Sequence, residues 1–404
     1  GILITFPVIT GIFGFMFTAP YYMISLLFAV AGVWIANKKT SVLFGGGVSV
    51  LLFAFSIGIY QAFIPIMMSL ALLCFISKLT AETSDKPKKL IISGIYLAGT
   101  VILGVLLYFL LNKCILAYKG LSLSDYRHID TMGKEPFSVY LSRIPIAYYR
   151  FFSTEKIGTY TSMFPFRLRH LYILILLFTA MLSLHVIIKT FRKNIFRGIL
   201  LTLSILMLPL TFNFIFVMCE SAYTLMLYGQ SMIFVYLVFL INISEFPKLN
   251  ITRTVYGLGM ALLLFISFSY CRYANINYLK AEYQQQRMIS YFTVMITQIK
   301  SLEGYQDEMR VCYINPKSKK DLTLKELSGF ESLYVVPYQG AKNGVNNYAW
   351  VQFMNNWCAF SPEVVDEEDF IDLPEVIDMP YYPDDGSIKI INDTVVVKFG
   401  PVEE

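Results

Sequence analysis

Histidine is nearly absent from this chain: three residues in 404, none spaced as a metal-ligand pair. Cysteine is hardly commoner, with six (Cys74, Cys114, Cys219, Cys271, Cys312, Cys358) and no Cys-x-x-Cys among them. These absences remove zinc-site spacing and nucleophile–base pairs of the Ser–His or Cys–His kind as starting points. Cys312 and Cys358 read either as two buried thiols or as a disulfide in an external tail. The sequence carries no internal repeat and no low-complexity tract. No Gly-rich phosphate loop stands out; Gly45-Gly46-Gly47 falls inside an apolar segment, where small residues serve close helix packing.

Charge is also scarce, at 15% of residues, and it is segregated. The net charge of +5 conceals a tail of −8 from Arg272 onward and a body of +13 before it. A basic balance points to nucleic acid or to a membrane surface. Here the positive charge sits in short loops between apolar segments, so its partner is the anionic inner leaflet and nucleic acid is excluded.

What the chain has in quantity is apolar length. Nine stretches run at about Leu3–Phe17, Tyr21–Ala36, Val42–Ile59, Phe63–Ile76, Leu90–Leu111, Leu171–Ile188, Ile199–Met218, Met232–Ile243 and Val255–Tyr270. A bilayer core of roughly 30 Å takes about 20 apolar residues per helix. Five stretches meet that length; Leu3–Phe17, Tyr21–Ala36, Phe63–Ile76 and Met232–Ile243 are short or interrupted. The fold class is a polytopic α-helical membrane protein with a C-terminal extracytoplasmic α/β domain. Its body spans residues 1–271, with an external loop at 112–168, and its acidic tail residues 272–404.

Loop charge sets the orientation. Lys38–Lys39, Lys78–Lys89, Lys189–Arg197 and Lys248–Arg253 are short and basic and belong in the cytoplasm. Thr18–Pro20 and Tyr60–Ala62 carry no charge, and Cys219–Ser231 carries only Glu220. The tail and the long loop then lie outside the membrane. Gly1 is not an initiator methionine, and Leu3–Phe17 lacks the basic n-region of a signal peptide. The chain therefore reads as a fragment whose upstream part is missing.

In the long loop, Tyr148–Phe152 with Arg143 and Arg150 reads as a helix lying in the interface. In the tail, Leu279–Ile299 has helical periodicity, Arg310–Ile314 and Leu333–Val336 read as strands, and Tyr348–Cys358 as a helix. Ser387–Ile391 and Thr394–Phe399 flank Asn392-Asp393, a hairpin signal. The acidic stretch Glu363–Asp378 is a solvated linker or a charged domain edge.

Few residues suggest chemistry. Tyr60 and Gln61 turn the chain at the outer surface, where an amide and a phenol are suited to a phosphate or a sugar hydroxyl. The cluster Asp125, Arg127, His128 and Asp130, followed by Lys134, has the donor and acceptor types of sugar-phosphate handling. A carboxylate there, Asp125 or Asp130, takes a proton from an acceptor hydroxyl, while Arg127 clamps phosphate. Glu220, at the outer end of an apolar segment, is ionisable where a partner or a wet cavity is required. The ordinary alternatives are an aromatic belt, a solvated loop and an interface marker. Asn213 reads as interhelical glue, and His170 and His185 as packing or interface residues.

Several stretches together resemble the GtrII-type glucosyltransferase family. They are Phe6-Pro7 through Gly11-Ile12-Phe13-Gly14-Phe15-Met16-Phe17, Ser56-Ile57-Gly58-Ile59-Tyr60-Gln61-Ala62-Phe63, Leu208-Pro209-Leu210 and Leu227-Tyr228-Gly229-Gln230. Asn275-Ile276-Asn277-Tyr278-Leu279 and Met379–Ile388 extend the likeness. The resemblance implies a GT-C-like enzyme that moves glucose from a polyprenyl-phosphate carrier to a surface polysaccharide or teichoic-acid-like acceptor. The family's key carboxylates are expected upstream of Gly1, and only Tyr60 and Gln61 are transferable, as lining of the carrier site. No metal ligand set and no other cofactor is evident. The alternatives are a lipid-linked sugar transporter or flippase and a polysaccharide polymerase or ligase.

Overall fold

The computed structural model describes residues 1–13, 17–38, 42–81, 87–122, 135–153, 166–219, 222, 224–244, 246, 249–315 and 347–401. These form two compact units, Gly1–Ala274 and Asn275–Glu404, taken in turn.

The first unit is helical: α1 (Ile2–Thr5), α2 (Pro7–Phe13), α3 (Ala19–Asn37), α4 (Val42–Ile59), α5 (Ile64–Thr80), α6 (Pro87–Lys119), α7 (Phe137–Phe152), α8 (Phe166–Lys193), α9 (Ile195–Phe212), α10 (Ile215–Met218), α11 (Met232–Ile243) and α12 (Leu249–Lys300), with 3-10 turns at Gln61–Phe63 and Thr224–Ser231. Local chemistry sets several starts. Proline stands in the first turn of α3 and α5, where its missing N–H costs nothing. Asn194 caps α9 by accepting from the Arg197 amide at 3.0 Å.

Among the described residues, seven helices are long and apolar enough to cross a membrane: Ala19–Asn37, Gln61–Thr80, Pro87–Lys119, His170–Lys193, Ile195–Phe212, Leu225–Ile243 and Asn250–Leu279. Leu43–Ile59 is a shorter apolar helix. Seven of the nine apolar stretches thus correspond to such a helix among the described residues. Leu3–Phe17 contains helices α1 and α2, of 4 and 7 residues, parted at Phe6. The residue before a proline is driven out of helical backbone, and Phe6 before Pro7 has ψ 135°. Phe6, Val8 and Ile12 are fully buried, so this stretch is apolar because it is core. The opposite difference occurs later: Val255–Tyr270 and Leu279–Ile299 belong to one 52-residue helix, α12. The loop expected from Asn112 begins later, because α6 continues to Lys119.

Side-chain contacts fix helix directions. Ser25 of α3 and Ser56 of α4 exchange hydrogen bonds through hydroxyls and carbonyls at 2.7 and 2.8 Å. A Cβ on Gly32 would stand 2.6 Å from the Phe53 ring, and one on Gly104 would stand 2.5 Å from Phe53 Cβ. Both glycines thus admit Phe53 between α3 and α6. Of the Gly45–Gly47 run, Gly46 faces Tyr96 while Gly47 faces open space. Lys78 Nζ donates to Ser93 Oγ at 2.8 Å, and Arg197 Nη1 to the Ala81 carbonyl at 3.0 Å. The basic connections after α5 and α8 consequently meet at one end of the bundle. Tyr22, Tyr60, Gln61 and Tyr108 mark the other.

The second unit is a four-stranded mixed sheet, order β2-β1-β4-β3, built from β1 (Arg310–Ile314), β2 (Val364–Val365), β3 (Ile388–Ile391) and β4 (Thr394–Lys398). Helices α13 (Asn347–Cys358) and α14 (Pro374–Ile377) accompany it, with the end of α12. β1 and β4 pair in parallel, Val311 opposite Val395, and β3 and β4 form the hairpin. Asn392 and Asp393 both have positive φ, 49° and 53°, as a two-residue turn matched to strand twist requires. Val311, Tyr313, Val395 and Val397 face Phe292, Met295 and Met354. Cys312, Ile314 and Val396 face Phe370 and Val376 on the other side. Cys312 and Cys358 are both free thiols, packed against opposite faces of this sheet. The acidic stretch Glu363–Asp378 supplies edge strand β2 and helix α14, and Glu367 accepts the Asn315 amide at 2.7 Å. Leu333–Val336 lies outside the described residues.

Candidate functional site

Four long helices of the first unit leave a gap between them. A cavity of about 830 Å³ is lined mainly by α5, α6, α7 and α9, with Ile57 of α4 and Val217 and Met218 of α10. Gly94 and Phe109 of α6 both line it, which spans a rise of about 22 Å along the helix. Among the described residues the wall is almost wholly apolar and holds no charged side chain; Gln61, Tyr108, Tyr140, Ser204 and Thr211 are its polar members. Gln61 and Tyr108 join at the non-basic end, where Gln61 Nε2 donates to Tyr108 Oη at 2.5 Å.

That end adjoins a polar cluster. Tyr60 packs on Tyr22 with ring centroids 4.3 Å apart, and edge-on to Phe63 at 5.0 Å. Gln61 itself lines the cavity, whereas Tyr60 stands behind it with Tyr22. Cys219 follows Met218, a wall residue, and lies within electrostatic reach of Tyr60, Arg143, Arg150 and Glu135. Burial pushes the Cys219 thiol up to about 11, against the pull of Arg143 and Arg150. Burial likewise holds the Tyr60 phenol well above its usual range. Both groups are therefore neutral at physiological pH, and the charges of the cluster belong to Arg143, Arg150 and Glu135.

Arg143 is one of the buried residues of α7. It shares the buried face of α7 with Ala147 and Phe151, and its guanidinium meets the Glu135 carboxylate at 2.5 and 2.8 Å. Its guanidinium carbon is 6.0 Å from the ring of Tyr140, a wall residue. Arg150 lies over the Phe216 ring at 4.3 Å. Arg143 at i with Ala147 and Phe151 at i+4 and i+8 marks one helical face in the sequence, a signal that places it inward. Nothing comparable announces Tyr108 or Tyr140, each one of three tyrosines in its helix.

Of the sequence candidates, Tyr60 and Gln61 are thus brought to one end of the cavity. Asp125, Arg127, His128, Asp130, Lys134 and Glu220 lie outside the described residues. Asn213 is glue, as its place beside Pro209 suggests: it is fully buried and bonded to α7 and to Gln230. His185 stacks on Phe246, ring centroids 4.1 Å apart.

Helical spans around an apolar cavity with a polar end define a polytopic membrane protein. The profile of one family, described as Glucosyl transferase GtrII, matches residues 1–242, more than half of the chain and all of the cavity wall. The chain belongs to that glycosyltransferase family. No characterised protein and no solved structure gives a significant match.

Proposed function

We propose that this chain is a GT-C-like hexosyltransferase. It moves a sugar, glucose in the first instance, from a polyprenyl-phosphate carrier to a surface polysaccharide or teichoic-acid-like acceptor. The observation that carries this reading is the apolar cavity ending at Gln61, Tyr108 and the arginine cluster, in a chain of a glucosyltransferase family. A sugar alone has no use for an apolar wall of that length. An isoprenoid tail does, and its polar head then comes to rest at the polar end.

The transfer itself needs few parts. A carboxylate takes the proton of the acceptor hydroxyl as its oxygen attacks the anomeric carbon. The bond from that carbon to the phosphate oxygen breaks, and the phosphate leaves with the electron pair, stabilised by a cation. Asp125 and Asp130 are the candidate carboxylates, and Arg127, His128 and Lys134 accompany them in the sequence. The basic connections favour a cytoplasmic position for their end of the bundle, which puts Tyr60, Gln61 and residues 275–404 on the outer face of a bacterial plasma membrane.

Surface glycan from cells with and without the full-length protein tests the reading. Loss of a side-branch sugar, together with transfer from a synthetic polyprenyl-phosphate glucose by the purified protein, is the expected result. Unchanged composition with altered polymer length would instead indicate a polymerase or ligase. Movement of the lipid-linked sugar across the bilayer without transfer would indicate a flippase.

A further inference from the structure

The ion pair of Arg143 and Glu135 stands beside the polar end of the cavity and is unequal in its two halves. Arg143 is anchored within α7, with 10% of its side chain exposed, while Glu135 has 27% exposed. Glu135 lies before the cap residue Pro136, outside the helix. Both guanidinium nitrogens are engaged, Nη1 with Oε2 at 2.5 Å and Nη2 with Oε1 at 2.8 Å. The same planar fork fits two oxygens of a phosphate as well as two of a carboxylate. A buried guanidinium without an anion is costly, so whichever anion leaves must be replaced by another. Tyr140 connects the pair to the wall, and Cys219 connects it to Met218.

We propose that Arg143 is the phosphate-binding residue at the mouth of this cavity, and that Glu135 holds its guanidinium until a lipid phosphate displaces it. The proposal rests on the reading of the cavity as the seat of a lipid tail. The more mobile partner by position is Glu135, because it sits on the chain entering α7 while Arg143 is fixed by helix packing. Exchange leaves the guanidinium paired throughout and frees a carboxylate beside the bound phosphate. If the pair served only to staple the incoming chain to α7, neither partner would affect the choice between lipids.

The test uses the purified full-length protein in lipid nanodiscs, with two probes of equal chain length: a polyprenyl phosphate and the corresponding polyprenol. The wild type is expected to bind the phosphate more tightly than the alcohol. Glu135→Gln removes the competing charge and raises affinity for the phosphate by about tenfold, leaving the alcohol unchanged. Arg143→Gln brings the phosphate down to the level of the alcohol. Arg143→Lys, which keeps the charge but loses the fork, falls between and serves if the glutamine variant does not fold. Equal binding of both probes by the wild type, or a Glu135→Gln variant with unchanged or weaker phosphate binding, would overturn the exchange and leave the cavity reading intact. Failure of both probes to bind the wild type would remove the cavity reading and this proposal with it.

Discussion

Gln230 donates its side-chain amide to Asn213 Oδ1 at 2.7 Å, and Asn213 Nδ2 in turn donates to the main-chain carbonyl of Ala147 at 3.1 Å. Three elements meet in this chain of bonds: the 3-10 turn before α11, the end of α9 and the middle of α7. Two of them, α7 and α9, wall the cavity. Asn213 is needed there because α9 stops. Pro209 cannot donate within the helix, α9 ends at Phe212, and the chain restarts as α10.

The two amides should therefore act as a unit. Asn213→Leu and Gln230→Leu each strand a buried polar group and should cost about 1–2 kcal/mol. The double replacement should cost less than the sum of the two, since neither amide is then left without its partner. Thermal unfolding of the four proteins in one detergent gives the cycle. Strict additivity would mean that the bond contributes nothing to stability.

Next to Gln230, Gly229 is pressed against main chain. A Cβ there would stand 2.6 Å from the Phe212 carbonyl oxygen and 2.8 Å from Pro65 Cβ. Neither neighbour is the end of a flexible side chain, so relief requires movement of α5 or of the end of α9. Gly229→Ala should lose about 1–3 kcal/mol. Gly47→Ala, with nothing within 4 Å of its added Cβ, should be neutral or slightly stabilising. The difference in unfolding midpoint between these two alanine variants is the measurement.

Filling the cavity separates tail binding from chemistry. Ala98→Trp places an indole on a wall position whose own side chain is small. If it expels only two methylenes of a bound tail, the loss is about 1.6 kcal/mol, roughly fifteenfold in affinity. The expected signature is a higher KM for the lipid-linked donor with little change in kcat for what does bind. A drop in kcat alone would place the donor elsewhere.

Legibility in the sequence followed the range of the physics. Spans such as α6 and the hairpin at Asn392-Asp393 are local and could be read directly. The break at Phe6-Pro7 was equally visible, but apolar length alone cannot separate a core helix from a lipid-facing one. Continuity of α12 through Asn275-Ile276-Asn277-Tyr278 was hidden by the loss of apolar length there, although asparagine only mildly disfavours helix and neither proline nor glycine interrupts it. The site was legible in pieces. Tyr60 and Gln61 were marked by polarity at a turn between apolar runs. The cavity wall joins side chains more than a hundred residues apart, and the Arg143–Glu135 pair crosses a helix cap. No periodicity records either.

In the second unit, burial, helped by nearby carboxylates, should govern the reactivity of Cys312. Its thiol is pushed from 9.0 up to about 12, chiefly by burial and then by Glu367, Asp369 and Asp366. A thiol whose folded pKa exceeds its unfolded value favours the folded chain fully below about pH 9, and that contribution is lost as pH rises toward 12. Alkylation of a variant retaining only Cys312 should therefore stay slow between about pH 8 and 10 in the folded protein. In denaturant the same variant should titrate near the ordinary thiol value of about 8.5–9. Cys312→Ala should remove this part of the alkaline loss of stability. A folded-state reaction profile centred near pH 9 would mean that the sheet face of Phe370 and Val376 does not exclude water from Cys312.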